Sequence, residues 1–184
     1  MRSVGLAILV FPLVCALPRA ALGYTQWSAA VSLGGGGRVT PQERSEGLIS
    51  LGLRADALFS ARSPLAVGIG PFLALRTDDF DDFSVALGAS VKVPTTSTLP
   101  FGFSFGAVVD LTAADPLDGA GIIGRVWWGS RSMNYHSSYG MAVGLWVDAR
   151  YFPATGTTDV VAGIDGDLAF AAIPFILLYE WIRH

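Results

Sequence analysis

Side chains of two kinds alternate along residues 139–152. Every second residue, starting at Tyr139 and ending at Tyr151, is apolar or aromatic. The residues between them are mostly small and include two opposite charges, Asp148 and Arg150. A β-strand sends alternate side chains to opposite faces, so this pattern predicts a strand with two different faces. The long apolar face and the small polar face are typical of a strand between lipid and a narrow barrel interior.

The same alternation recurs along the chain and predicts eight strands. They cover residues 24–33, 47–60, 65–76, 83–93, 101–112, 120–130, 139–152 and 158–170. A tilted strand needs about 9–11 residues to cross a bilayer, and each of these segments is long enough. An even number of such strands, joined by short turns, predicts an all-β fold. We expect a closed antiparallel up-and-down transmembrane barrel over residues 24–171.

Four stretches depart from the alternation. Gly34–Gly37 is predicted to end the first strand and to be followed by a polar loop over residues 38–45. Pro71 removes a ladder donor from the third strand, which predicts a bulge or a local irregularity. The acidic residues 77–82 are predicted to form a short loop. The apolar tail, residues 172–184, fits either an extension of the last strand or an interfacial helix.

The composition favours a barrel over a helical membrane protein. Hydrophobic residues make up 52% of the chain and charged residues 15%, whereas charged residues make up about 25% of a typical soluble domain. A helix that crosses a bilayer needs about 20 consecutive apolar residues. The longest apolar run after the N-terminal region, Leu168 to Tyr179, is shorter and contains Pro174. Such a chain has either a large buried core or a closed β-barrel.

Residues 1–23 are similar to a secretory signal peptide. They begin with a basic residue, continue with an apolar block and end with small residues, so we expect cleavage after Gly23, with Ala20 and Ala21 as alternatives. An uncleaved anchor and a lipoprotein attached at Cys15 are the other interpretations. Cleavage would change the net charge from −3 to −5 and remove the only cysteine. The mature chain would then lack thiolate chemistry, and its acidity argues against nucleic acid as a partner.

Charged residues are expected inside the predicted barrel, because they fall on the small-residue face of the strands. They are Arg54, Asp56, Arg76, Lys92, Asp110, Arg125, Asp148, Arg150, Asp159, Asp165 and Asp167. Eight strands enclose room for side chains but not for an open channel. A buried charge without a partner is costly, so we expect a network of ion pairs that fills the interior. A gated path for protons or ions is the alternative.

Together these features resemble small bacterial outer-membrane β-barrels of the OmpA transmembrane-domain or OmpX type. The resemblance covers residues 24–170 and is architectural, since no family motif is matched residue by residue. It implies a monomer without a cofactor in the bacterial outer membrane. Its partners would be membrane lipids, lipopolysaccharide and the barrel assembly machinery. Such barrels usually end on a strand with a terminal Phe, whereas this chain ends Glu-Trp-Ile-Arg-His.

His136 and Ser138 form the best candidate for catalysis. Some eight-stranded outer-membrane barrels are lipid A deacylases with a His-x-Ser pair, and the stretch from His136 to Ser138 looks like that pair. In this chemistry the histidine takes the serine proton and an acid orients the histidine. Asp148 is the nearby acid in the sequence. The alternative is a polar turn with a solvated histidine.

A cluster of acidic residues is the only candidate for metal binding. Asp78, Asp79, Asp81 and Asp82 surround Phe80 in the predicted loop. Carboxylates grouped in this way can bind a hard cation such as calcium. If the termini are periplasmic, the loop faces outside, where divalent ions bridge lipopolysaccharide. The alternative is a solvated acidic loop.

Three functions are compatible with these patterns, and a structural role in the envelope is favoured. The predicted outer loops, 34–46, 77–82, 113–119 and 153–157, are short, which weakens an adhesin hypothesis. The second hypothesis is a lipid A-modifying enzyme. The third is a secreted soluble barrel that holds a small apolar ligand inside. That arrangement would leave an outer face rich in Gly and Ala and poor in charge.

Overall fold

A computed structural model describes residues 25–41, 45–59, 65–95, 99–130, 143–168 and 179–183. Eight β-strands account for most of them. They are β1 (Gln26–Val39), β2 (Ser45–Leu58), β3 (Gly68–Asp78), β4 (Asp82–Val93), β5 (Phe101–Asp110), β6 (Ala120–Gly129), β7 (Val143–Phe152) and β8 (Thr157–Asp167). All eight predicted strands are confirmed, although several of their ends differ.

The strands form one closed barrel. Each strand pairs antiparallel with its neighbours in sequence, and β8 pairs with β1, so the predicted fold class is confirmed. Directly opposed residues trace a path around the barrel through Ser28, Asp56, Phe72, Gly88, Gly106, Ile123, Arg150, Asp159 and Arg38. The path thus returns to β1 ten residues beyond its start. This stagger fixes the tilt of the strands and the width of the interior.

Side chains alternate between the interior and the outer surface. On β7, Leu145 and Val147 are exposed, whereas Trp146 and Asp148 are buried. Every charged residue of the eight strands falls on the inward set. Most of the outward set is Leu, Val, Ile, Ala, Gly and aromatic residues. The barrel is therefore polar inside and apolar outside.

Two apolar clusters share the interior with the charged residues. One consists of Phe72, Ala86, Val108, Ile123 and Phe152. The other consists of Leu48, Trp127, Trp146 and Val161. Large rings such as Phe72 and Trp146 fill the space between the guanidinium and carboxylate groups, which keeps the interior tightly packed.

The prediction that Gly34–Gly37 ends the first strand is wrong. β1 continues through these glycines to Val39, and β2 begins at Ser45 within the predicted loop. A Cβ atom at Gly36 would overlap the backbone of Val160 on β8, and one at Gly34 would lie 2.7 Å from the ring of Trp146. These glycines are needed for close approach inside the barrel rather than for a turn.

Pro71 interrupts one ladder of the barrel. The β2–β3 pairing stops at Phe72 and resumes as an isolated bridge at Ile69. The β3–β4 pairing continues through Pro71, which is opposite Ala89. The local irregularity predicted at this proline is confirmed, and it is a gap in the β2–β3 ladder rather than a bulge.

Other strand ends differ by a few positions. β3 begins at Gly68 rather than at residue 65, β5 ends at Asp110 rather than at 112, and β8 ends at Asp167 rather than at 170. The loop predicted at 77–82 shrinks to a turn, because β3 extends to Asp78 and β4 begins at Asp82. The segment 1–23 and residues 139–142 lie outside the described residues.

Residues 179–183 of the tail are helical, and they expose Tyr179, Trp181 and Ile182. The sequence is compatible with a strand or a helix over residues 172–184, and the described part of this tail is helical. Within the ranges that the structure describes, no helix has the length and apolarity needed to cross a membrane.

Candidate functional site

An unbroken chain of nine ion-paired groups runs inside the barrel. In order it contains Asp82, Arg38, Asp159, Arg150, Asp78, Arg76, Asp148, Arg125 and Asp165. Acid and base alternate at every step, with N–O distances from 2.5 to 3.5 Å. The groups come from β1, β3, β4, β6, β7 and β8, so the chain joins strands from all around the barrel.

The buried carboxylates of this chain accept several charged donors each. Asp148 accepts hydrogen bonds from Arg125 Nε and Nη2 at 2.5 and 2.8 Å and from Arg76 Nη1 at 2.9 Å. Asp78 accepts from Arg76 Nε at 2.8 Å and from Arg150 Nη2 at 2.6 Å. Charge-assisted hydrogen bonds are stronger than neutral ones, and a buried ion pair requires them to offset desolvation.

A second charged group lies around Arg54. Its Nε and Nη2 donate to the two oxygens of Asp56 at 2.9 and 2.8 Å. Nη2 is also within hydrogen-bond distance of the hydroxyls of Ser90 and Ser104, at 2.7 and 2.5 Å. The guanidinium carbon lies 4.2 Å from the ring centroid of Phe72, a cation–π contact. This group joins β2, β3, β4 and β5.

The nine-group chain reaches water at the mouth of the barrel. Arg38 bonds Asp159 through Nε and Nη2 and Asp82 through Nη1. The side chains of Arg38 and Asp82 are 21% and 34% exposed, whereas the other members of the chain are at most 8% exposed. The partly solvated Arg38 of β1 therefore links β8 to β4 at the mouth of the barrel.

Little free space remains in the middle of the barrel. A cavity of about 20 Å³ is lined by Ser32, Ser50, Arg76, Arg150 and Trp146, among others. A cavity of this size holds about one water molecule. As far as the described residues show, side chains fill the interior and leave no open channel, which gives no support to an ion path.

The structure brings together most of the residues assigned to the inner face from the sequence. Arg76, Arg125, Asp148, Arg150, Asp159 and Asp165 are in the nine-group chain, and Arg54 and Asp56 form the second group. Lys92 is buried near the far end of β4, and Asp167 is half-buried at the end of β8.

Asp110 requires a correction. Its carboxylate accepts hydrogen bonds from the backbone N–H and the hydroxyl of Thr112, at 2.8 and 2.6 Å, at the exposed end of β5. Asp110 belongs to the inward set, as the alternation predicts. Because β5 ends at this residue, its carboxylate stabilises the following turn and forms no part of the nine-group chain.

Sequence reasoning missed three members of the nine-group chain: Arg38, Asp78 and Asp82. All three were assigned to loops, because the glycine run and the acidic run resemble strand ends. The two-residue alternation does indicate that Arg38 and Asp78 face inward. Arg38 follows Ser32, and Asp78 follows Arg76, at even spacing on the inward face.

Three of the four aspartates predicted as cation ligands have different partners in the structure. Asp78 is ion-paired inside the barrel, and Asp82 is paired with Arg38 at the mouth. Asp79 accepts a hydrogen bond from the backbone N–H of Ile49 at 2.8 Å. In the part of the chain that is described, no three His, Cys, Asp or Glu side chains are grouped to hold a metal ion.

Two of the catalytic candidates, His136 and Ser138, lie outside the described residues. The third, Asp148, is 1% exposed. Its two oxygens accept three hydrogen bonds from Arg76 and Arg125. The acid proposed to orient a histidine is thus already occupied by two guanidinium groups.

Aromatic residues flank the apolar outer surface at both ends. Trp27, Phe101 and Trp128 lie at the end where β1 begins, and Phe83 and Tyr151 lie at the opposite end. All except the half-buried Phe101 are exposed. Between them the exposed residues are almost all Leu, Val, Ile, Phe and Ala. An apolar band between two aromatic girdles is the surface expected of a barrel in a bilayer.

Neither a protein-family model nor a curated protein matches the chain. Among solved structures, the chain is similar to one described as "De novo design of transmembrane beta-barrels", with 13% sequence identity and a TM-score of 0.36. The similarity covers 77% of this chain and 93% of that chain.

Proposed function

We propose that this chain is a bacterial outer-membrane β-barrel protein with a filled, ion-paired interior and a structural role in the cell envelope. The distribution of charge carries this proposal. Every charged residue of the eight strands is on the inward set, and the outward set is apolar between aromatic ends.

A lipid environment explains this distribution better than water does. In hydrocarbon, every backbone N–H and C=O must be paired within the protein, and a closed barrel achieves this. Outward residues such as Leu33, Leu53 and Val147 are about half exposed, which is unfavourable in water over so large a surface. The secreted soluble barrel is not supported, because it needs the apolar set inside.

The outer membrane is the proposed location for two reasons. Closed β-barrels are the membrane proteins of that bilayer, and residues 1–23 have the pattern of an export signal. The proposed partners are membrane lipids, lipopolysaccharide and the barrel assembly machinery. Because β1 pairs with β8, the barrel has no open edge for pairing with another copy, which supports a monomer.

A structural rather than enzymatic role is supported by the use of the charged residues. Several buried carboxylates inside the barrel, such as Asp78 and Asp148, are bonded to arginines. The turn between β3 and β4 and the turn between β7 and β8 are short and offer little surface for a substrate or receptor. No cofactor is proposed.

Membrane fractionation followed by gel electrophoresis tests the proposal. The protein is expected in the outer-membrane fraction, and its mobility should differ between unboiled and boiled samples because a closed barrel resists detergent. A sample unfolded in urea before loading is the control and should run like the boiled one. Recovery in the soluble periplasm, with no heat-dependent shift, would contradict the proposal.

A further inference from the structure

We propose that the cavity inside the barrel binds a single halide ion, which is chloride under ordinary conditions. The cavity has a volume of about 20 Å³ and lies among Ser32, Ser50, Arg76, Arg150 and Trp146. This volume is sufficient for about one particle of the size of a water molecule. The proposal goes beyond a structural barrel, which needs no ligand.

Several buried N–H donors belong to residues that line this cavity, and one of them, Arg125 Nη1, lies 3.5 Å from Asp165 Oδ1. Among the described residues, Arg76 Nη2, Arg150 Nε and Trp146 Nε1 have no hydrogen-bond acceptor. The three residues are 9%, 2% and 2% exposed, so bulk water does not satisfy them. A buried donor without an acceptor is costly, and a charged donor more so. Three such donors on residues that line one cavity suggest that an acceptor occupies it.

The charges that line the cavity favour an anion. They are Arg54, Arg76, Arg125, Arg150 and Asp148. The aspartates that neutralise these arginines, such as Asp56 and Asp78, are not among the lining residues. The charged residues that line the cavity are therefore four arginines and one aspartate. The ring of Trp146 adds its N–H and lies 4.4 Å from the guanidinium carbon of Arg125.

Water matches this lining less well than a halide does. A buried water molecule typically forms about three hydrogen bonds, as donor and as acceptor, whereas the three unpaired groups are all donors. The carboxylate of Asp148 already accepts from three arginine nitrogens. A halide only accepts, so it suits a site with an excess of donors.

Anomalous scattering from bromide provides the direct test. The folded full-length protein would be crystallised from detergent in sodium bromide. One bromide peak is expected inside the barrel, within hydrogen-bond distance of Arg76, Arg150 and Trp146. Density at that place without an anomalous signal would identify a water molecule and overturn the proposal. An empty cavity would also overturn it.

A pair of tryptophan variants provides the test in solution. The unfolding rate of the native protein should be lower in sodium chloride than in sodium gluconate at equal ionic strength, because gluconate is too large for the cavity. Trp146→Phe keeps an aromatic ring at this position but removes the five-membered ring of the indole and its N–H donor. It should weaken the chloride effect roughly tenfold in chloride concentration, the size expected for one lost hydrogen bond.

Trp127→Phe is the matched control. Trp127 lies directly opposite Trp146 in the β6–β7 pairing and is equally buried, at 2% exposure. It is not among the residues that line the cavity. Its variant should keep the chloride response of the native protein. Equal unfolding rates of the native protein in the two salts, or an equal loss of response in both variants, would overturn the proposal.

Discussion

Arg54 illustrates how a single charged side chain is held inside this barrel. Its planar guanidinium forms two parallel bonds with Asp56, and it also lies over the ring of Phe72. An exposed ion pair contributes little to stability, because water competes for both partners. A buried pair behaves differently. Removing one partner leaves the other charged group without compensation in a medium of low dielectric constant.

Removal of one partner from this pair should therefore cost more than removal of both. Arg54→Met should lower the free energy of unfolding by about 3–5 kcal/mol, because Asp56 would remain buried without its main counter-charge. The double variant Arg54→Met with Asp56→Leu should recover most of that loss. Urea unfolding of the protein in lipid vesicles measures both. A double variant that is no more stable than the single one would show that the pair does not act as a unit.

At the scale of the strand, the glycines of β1 determine how closely the barrel seam can pack. Gly34 and Gly36 face inward beside β8, where a Cβ atom would overlap the backbone or the ring of Trp146. Gly124 on β6 is a different case, since a Cβ atom there would meet nothing within 4 Å. A side chain is therefore sterically excluded at Gly36, whereas no atom of the chain opposes one at Gly124.

This difference predicts opposite effects of the same substitution. Gly36→Ala should destabilise the folded barrel by about 1–3 kcal/mol, the usual cost of overpacking, because β1 and β8 must separate. Gly124→Ala, the control, should be neutral or stabilising by a few tenths of a kcal/mol, because alanine restricts the unfolded chain. Urea midpoints compare the two variants. Equal losses at both positions would mean that the seam tolerates a side chain.

The sequence predicts the strands and their inward faces, but it does not predict which residues of distant strands form ion pairs. The two-residue period is a local property, so it predicted all eight strands and the inward face of residues such as Arg125 and Asp148. The glycine run was misjudged because a turn and a close approach need the same residue. The partners of Arg38, Asp82 and Asp159, are 44 and 121 positions away. Such pairs depend on the stagger of the closed barrel, which no local pattern contains.

The whole molecule presents an apolar band to its surroundings, and the depth of a residue in that band determines the cost of a charge. Val147 lies outward near the middle of β7, and Leu117 lies in the turn between β5 and β6 with 75% exposure. Only the first of these is expected in hydrocarbon. A charge near the middle of a bilayer is far more costly than one at its surface.

Val147→Arg should therefore destabilise the barrel in vesicles by about 2–4 kcal/mol, the cost of a midplane arginine. Leu117→Arg should leave the free energy of unfolding almost unchanged. Both are measured by denaturant unfolding in the same vesicles. Similar values for the two variants would place the outward face of β7 in contact with water instead of lipid.

The ion pairs also constrain the order of events when the barrel forms. Arg38 on the first strand is neutralised by Asp159 on the last, and both lie far apart in the chain. A half-assembled sheet in hydrocarbon would contain arginines and aspartates whose ion-pair partners are not yet in place. Such a state is too costly to accumulate. We therefore expect entry into the bilayer and pairing of the last strand with the first to be one cooperative event, in which Asp159 neutralises Arg38.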